Sequence, residues 1–135
     1  MLPSKIKAGT VAQEMVLTLD LAPTLLALAG VTPPAAMEGR SLTPIFSGDA
    51  RNWRQSFFIE YYTDTVFPRV LNMGYTAIRT TRHKYIQYRE LQNMDELYDL
   101  EADPFEMDNI IDTERGRVLV PELAKELTRL QRTGS

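Results

Sequence analysis

The sequence predicts an α+β fold: a small antiparallel sheet of three or four strands covered by a carboxyl-terminal helix, with a further helix at the amino end. Three observations predict it. Leu17, Leu21, Leu25 and Leu28 recur at spacings of four, four and three, one face of a helix. Between Ser56 and Leu100 the texture changes to short runs of aromatic and β-branched residues separated by turn-forming segments. Leu119, Leu123, Leu127 and Leu130 then restore helical spacing. Grouped strands flanked by helices, rather than strict alternation, is the α+β pattern.

The elements follow in order. A helix is expected over about residues 18–29, capped by Thr18 or Asp20. With Asp20 as cap, Pro23 falls in the first turn, where a missing N–H loses no helical bond. Gly30 is a natural stop, and Thr32-Pro33-Pro34 forbids continuation. An exit loop spans 31–43 and ends in Gly39-Arg40-Ser41, with Ser41 capping a short turn over Leu42–Phe46 that Gly48 ends. Strands are expected at Phe57–Tyr62, Tyr75–Thr80, Lys84–Tyr88 and Glu96–Leu100. Residues 63–74, with Pro68 and Gly74, read as a loop, and Thr81-Arg82-His83 as a hairpin turn. Asp103-Pro104-Phe105-Glu106 has the pattern of a self-capping helix start. Pro121 is expected in the first turn of the last helix, or at a kink in it.

Composition narrows the function. Of 135 residues, 44% are hydrophobic, and 15 Lys+Arg against 18 Asp+Glu leave a net charge of −3. That is too apolar for a disordered tail and too acidic for a dedicated nucleic-acid binder. No run of about 18 apolar residues exists, so no membrane span is expected. The absence of cysteine removes disulfides, thiolate metal sites and a Cys nucleophile. No apolar stretch of about 7–15 residues follows the basic start, so it does not read as a signal peptide.

The chemistry-bearing residues are sparse. The one histidine, His83, excludes a His-rich metal site. No phosphate-cradling Gly-rich loop and no nucleophile elbow is present. His83, beside Arg82 and Lys84, is either an anion contact or part of a solvated hairpin turn. Arg79 and Lys84 either offer positive potential to a sulfate or phosphate, or flank a half-exposed sheet. Tyr62 leads into the longest loop of the sheet region, the best place for a recognition element. His83, Arg79, Lys84 and Tyr62 are therefore the candidate substrate-pocket residues; no catalytic residue and no metal ligand is assigned. Asp108-Asn109 reads as a loop pair rather than a Ca²⁺ site, which wants six to eight oxygens. Asp95, Glu96, Asp99, Glu101, Asp103 and Glu106 read as a solvated acidic face.

Five motifs, in order and over nearly the whole chain, carry a resemblance. Asp20-Leu21-Ala22-Pro23-Thr24-Leu25-Leu26 with Ala29-Gly30 resembles the D-x-x-P-T-L-L-x-x-A-G helix of type I sulfatases. Gly39-Arg40-Ser41-Leu42 resembles their G-R-S-L turn and Phe58-Ile59-Glu60-Tyr61 their F-x-E-Y strand. Ile78-Arg79-Thr80 with His83-Lys84-Tyr85-Ile86 resembles the paired R-T and K-Y-I strands. Glu96-Leu97-Tyr98-Asp99-Leu100, Asp103-Pro104-Phe105-Glu106 and Asn109 resemble E-L-Y-D-L-x-x-D-P-x-E-x-x-N. The resemblance is to the carboxyl-terminal segment of these formylglycine-dependent, alkaline-phosphatase-like enzymes.

It implies a full-length parent that hydrolyses sulfate esters with Ca²⁺ and a formylglycine made from Cys or Ser in a C/S-x-P-x-R motif near the amino end. This chain has no Cys and no Ser-x-Pro, so no catalytic residue carries over and no cofactor is expected on it. Residues 1–50 are expected to be the tail of the parent's large α/β domain, and 51–135 its carboxyl-terminal subdomain. The expected partners are the missing catalytic domain and, for the fragment alone, a second copy. The alternatives are a fragment of a phosphonate or phosphate monoester hydrolase of the same superfamily, or a free-standing interaction or glycan-binding module. The resemblance implies a periplasmic or secreted parent.

Overall fold

The computed structural model describes residues 6–63 and 68–133. The chain divides into two compact units, residues 1–54 and 55–135. Residues 1–5, the start of the expected tail 1–50, residues 64–67 of the loop after Tyr62, and residues 134–135 lie outside the described residues.

In the first unit the expected amino-terminal helix is split. A 3₁₀ turn, Thr18–Asp20, leads into helix α1, Leu21–Leu28. The cause is Asp20. Its carboxylate does not cap α1 but turns back to accept the Leu17 N–H at 2.8 Å, which tightens the entry. Pro23 is the third residue of α1, where no N–H is needed. The exit is as expected: Gly30 has φ 75°, and Val31 N–H and Gly30 N–H return to the Leu26 and Ala27 carbonyls. The short helix α2 spans Thr43–Phe46, one residue later than expected at its start. Ser41 Oγ accepts the Thr43 N–H at 3.3 Å, while Thr24 Oγ1 accepts the Leu42 N–H at 2.8 Å and ties α2 to α1.

In the second unit four strands, β1 (Ser56–Tyr61), β2 (Tyr75–Thr80), β3 (His83–Tyr88) and β4 (Glu96–Asp99), form an antiparallel meander in the order β1-β2-β3-β4. The register places Phe58, Ile78, Tyr85 and Leu97 in one row across the sheet. The carboxyl-terminal helix α3, Glu114–Thr133, lays Leu123, Leu127 and Leu130 onto that row. Leu119 packs at the margin of the same cluster. The period-2 and period-3.6 patterns thus meet as the core of this unit.

Several boundaries differ from expectation, each for a local reason. The hairpin between β2 and β3 has two residues, Thr81 and Arg82, and His83 belongs to β3. Thr80 Oγ1 accepts the His83 N–H at 2.8 Å and so closes the turn early. Asp103–Glu106 starts no helix. Asp103 Oδ2 accepts the N–H groups of Met107 and Asp108, and Glu106 lies at φ 57°, outside helical space. The working cap of α3 is Thr113, whose Oγ1 accepts the Gly116 N–H at 3.0 Å. Pro121 lies beyond the first turn, inside α3, and offers no N–H to the carbonyl one turn back. Asn109 bonds backbone: Oδ1 accepts the N–H groups of Leu97 and Ile111, at 2.9 and 3.1 Å.

Candidate functional site

The candidate residues fall at two ends of the sheet. Arg79 and Lys84 are direct partners across β2 and β3, on the face turned away from α3. Lys84 Nζ donates to Glu106 Oε2 at 2.6 Å, and Arg79 Nη1 to the Thr80 carbonyl at 2.8 Å. Both are engaged inside the unit. The left-handed backbone of Glu106 accompanies the turn that carries its carboxylate to Lys84.

His83 is one residue along and therefore on the opposite, helix-facing side. It is half-buried on β3, not in a solvated turn, and its Nε2 is buried without a hydrogen-bond partner. Its cross-strand partner is Asp99, which is 3% exposed. The Asp99 carboxylate accepts Arg82 Nε and Nη2 at 3.1 and 2.9 Å and also pairs with Arg115 of α3. Those two guanidiniums, Arg82 first, hold Asp99 well below the usual carboxylate range against the opposing effect of burial.

Burial is the main cause that pushes His83 below 6.5; Arg115 and Arg82 add to it, while Asp99 and Glu101 oppose. The ring is thus neutral at pH 7. Because His83 is the one histidine, its ring signals are unambiguous. An NMR titration is expected to give a midpoint below 6.5; a midpoint above it would contradict the burial described.

Tyr62 follows β1 at the other end of the sheet, where Tyr61, Tyr75 and Tyr88 meet. Its hydroxyl donates to Glu60 Oε2 at 3.3 Å, and the Arg89 guanidinium lies 5.0 Å from its ring centre. The structure brings Arg79 and Lys84 together, places His83 on the other face, and sets Tyr62 apart.

The acidic residues are not a plain solvated face. Asp95 accepts the Tyr88 N–H and the Tyr85 hydroxyl, Glu96 accepts the Tyr88 and Tyr98 hydroxyls, and Asp99 and Glu106 are paired as above. Burial first, then Glu96, pushes the Tyr88 hydroxyl up to about 12, so it stays a donor.

A constellation not expected from the sequence lies in the first unit. Asp20, 0% exposed, pairs with Arg54 and accepts the Arg40 N–H at 2.8 Å. Trp53 Nε1 donates to the Met15 carbonyl at 2.7 Å. Gly39 makes this possible through close approach rather than a positive φ: a Cβ there would lie 1.9 Å from the Leu19 carbonyl oxygen. The one sequence signal was a lone charge inside the apolar run Leu19-Asp20-Leu21.

Comparison with known proteins gives the context. The family model described as N-sulphoglucosamine sulphohydrolase, C-terminal, matches residues 1–133. The chain belongs to this sulfatase family. An N-acetylglucosamine-6-O-sulfatase of Bacteroides thetaiotaomicron is 33% identical over 131 residues, 95% of this chain and 22% of the relative. The structure of BT4656 in complex with its substrate D-glucosamine-2-N,6-O-disulfate superposes with a TM-score of 0.86 at 31% identity, covering 96% of this chain and 26% of that one. The phosphonate monoester hydrolase of Agrobacterium radiobacter gives 0.68 at 27% identity, covering 84% and 24%. This member of the family therefore spans about a quarter of the length of the relatives it matches. Its segment is their carboxyl-terminal one.

Proposed function

We propose that the chain is the supporting, non-catalytic quarter of a sulfuric ester hydrolase. The observation that carries this is the match of a sulfatase carboxyl-terminal family to residues 1–133 of a chain that holds no cysteine and no Ser-x-Pro. The formylglycine implied for the parent has no precursor here. For Ca²⁺, no group of three or more His, Cys, Asp or Glu is placed to hold a metal among the described residues. The residues present do not fit either group, and no step is assigned to them.

The assay is direct. The purified chain, given an aryl sulfate and Ca²⁺, is expected to show no turnover above the buffer rate; clear turnover abolished by no contaminant control overturns the reading. The phosphonate monoester hydrolase likeness supports a second reading, a fragment of that activity. The identity to the sulfatase structure, 31% against 27% for the phosphonate monoester hydrolase, favours the first.

On this reading the natural partner is the larger part of the parent. Leu21 and Leu25, one turn apart on α1, are 53% and 67% exposed, and Val16 and Val31 are also open to solvent. Apolar surface of this kind favours association. The isolated chain is expected to self-associate, measured by size exclusion with light scattering, and the double variant Leu21→Glu, Leu25→Glu to elute as a monomer. A wild-type chain that stays monomeric at high concentration counts against it.

A further inference from the structure

At one end of the sheet a buried carboxylate gathers three elements. Asp99 of β4, 3% exposed, accepts Arg82 Nε and Nη2 from the hairpin and pairs with Arg115 Nη2 of the first turn of α3 at 2.5 Å. His83 of β3 stands directly opposite Asp99 on the same face. We propose that His83 is a proton-operated latch. Neutral, it leaves Asp99 to Arg115 and the first turn of α3 closed on the sheet; protonated, it takes Asp99 and releases that turn.

The first observation is the buried His83 Nε2, which has no hydrogen-bond partner. A proton added to the ring makes both nitrogens donors. A buried charged donor without an acceptor is costly, so the cation has to find an oxygen.

The second is that the oxygen within reach is already committed. Directly opposed residues of antiparallel strands have Cβ atoms about 4.5–5.5 Å apart, which brings the Asp99 carboxylate to the ring. The charges facing His83 are Asp99 on β4, Glu101 just after it, Arg82 in the hairpin and Arg115 on α3. A charged ring makes three cations for two carboxylates. Arg82 is anchored to both Asp99 and Glu101, whereas Arg115 pairs with Asp99 alone among the described residues. Arg115 is therefore the one displaced.

The third is what Arg115 holds. Ile110 stays on the sheet through its N–H, which donates to the Leu97 carbonyl at 2.9 Å. Farther along α3, Leu123, Leu127 and Leu130 stay in the core. Between these two fixed parts, Arg115 ties the first turn to β4. The sign follows from burial, which favours the neutral ring in the folded state. The closed latch is present above the ordinary histidine range and is lost as pH falls through the folded value.

The test is amide hydrogen exchange in the whole 135-residue chain, corrected for intrinsic rates. The reporters are the N–H groups of Gly116 and Arg117, which donate to Thr113 Oγ1 and to the Thr113 carbonyl. Their protection is expected to fall at least about threefold on going from about pH 7.5 to about pH 5, while that of Leu123–Leu130 holds. The midpoint should coincide with that of the His83 ring. His83→Gln should keep the high protection throughout, and Arg115→Ala should show the low protection at both ends. Constant protection across the ring's titration, the same loss in His83→Gln, or native protection in Arg115→Ala at about pH 7.5 would each overturn the proposal. Should His83→Gln not fold, the two wild-type midpoints decide: separate midpoints overturn it, and coincident ones support it.

Discussion

Asp20→Ala is expected to unfold residues 1–54 while the sheet unit stays folded. Removing one partner of a buried pair leaves the other charge uncompensated, at a cost of about 3–5 kcal/mol. Here Arg54, 5% exposed, would be left with the Met15 carbonyl as its remaining acceptor, and the N–H groups of Leu17 and Arg40 would lose theirs. A folded unit holds roughly 0.05–0.15 kcal/mol per residue, so a segment of this size holds about 3–8 kcal/mol, comparable with that loss. The readout is the dispersion of amide signals: those of residues 6–54 should collapse and those of β1–β4 and α3 persist. Native dispersion throughout, with an unchanged urea midpoint, would sink the expectation.

The same pair carries an acid sensitivity. Burial raises the Asp20 carboxyl, but Arg54 and the N–H groups of Arg40 and Leu17 together bring it below 3.8. A depressed folded-state value means that the contribution is present above the ordinary carboxylate range and lost as pH falls through the folded one. The first unit of the wild type should therefore lose stability below about pH 4. Asp20→Asn should remove most of that pH dependence, while remaining less stable at neutral pH because Arg54 keeps its charge.

Leu127→Ala is expected to destabilise the second unit by about 2–5 kcal/mol. Leu127 is 2% exposed and packs on the row Ile78, Tyr85 and Leu97, which are 0%, 3% and 0% exposed. The rigid sheet cannot collapse far into the space left, so the cavity cost adds to the lost burial. Denaturation followed by far-ultraviolet circular dichroism should show a lower midpoint. Val118→Ala, on the outer face of α3 at 67% exposure, serves as the control and should change it by less than about 0.5 kcal/mol. Equal effects of the two substitutions would mean that α3 does not cover the sheet as described.

Much of the scaffold was legible because it rests on short-range rules. The leucine spacing of α3 marks one face, and the runs of aromatic and β-branched residues mark the strands on which that face packs. Gly30 and Gly48 ended their helices at positive φ, where a Cβ is costly. The misplaced elements share a different cause. In Asp103–Glu106 a sequence that suits a helix start is equally suited to a turn, and the ion pair of Glu106 with Lys84, 22 residues away, goes with the turn. In Thr80–His83 a hydroxyl–backbone bond decided the length of the hairpin.

The candidate residues divide in the same way. That Arg79 and Lys84 pair directly depends on the two-residue turn, because the turn Thr81-Arg82-His83 expected from the sequence would set Lys84 opposite Thr80. That Lys84 is bound to Glu106, and that His83 faces Asp99 and Arg115 instead of solvent, depends on which side of the sheet receives α3. One residue of register exchanges those faces.

By itself the amino-acid sequence determined the α+β class, the helix and strand periods, the sulfatase likeness and the lack of a cysteine or Ser-x-Pro from which a reacting group is made. Those are properties of composition and of residues within a few positions of each other. Only the tertiary structure decided that Asp20 and Arg54 form a buried pair across 34 residues, and that Arg40 lines one cavity with Trp53 and Asn52. The physical reason is that a charge's partner is chosen by burial and by long-range chain return, which no local pattern of residues records.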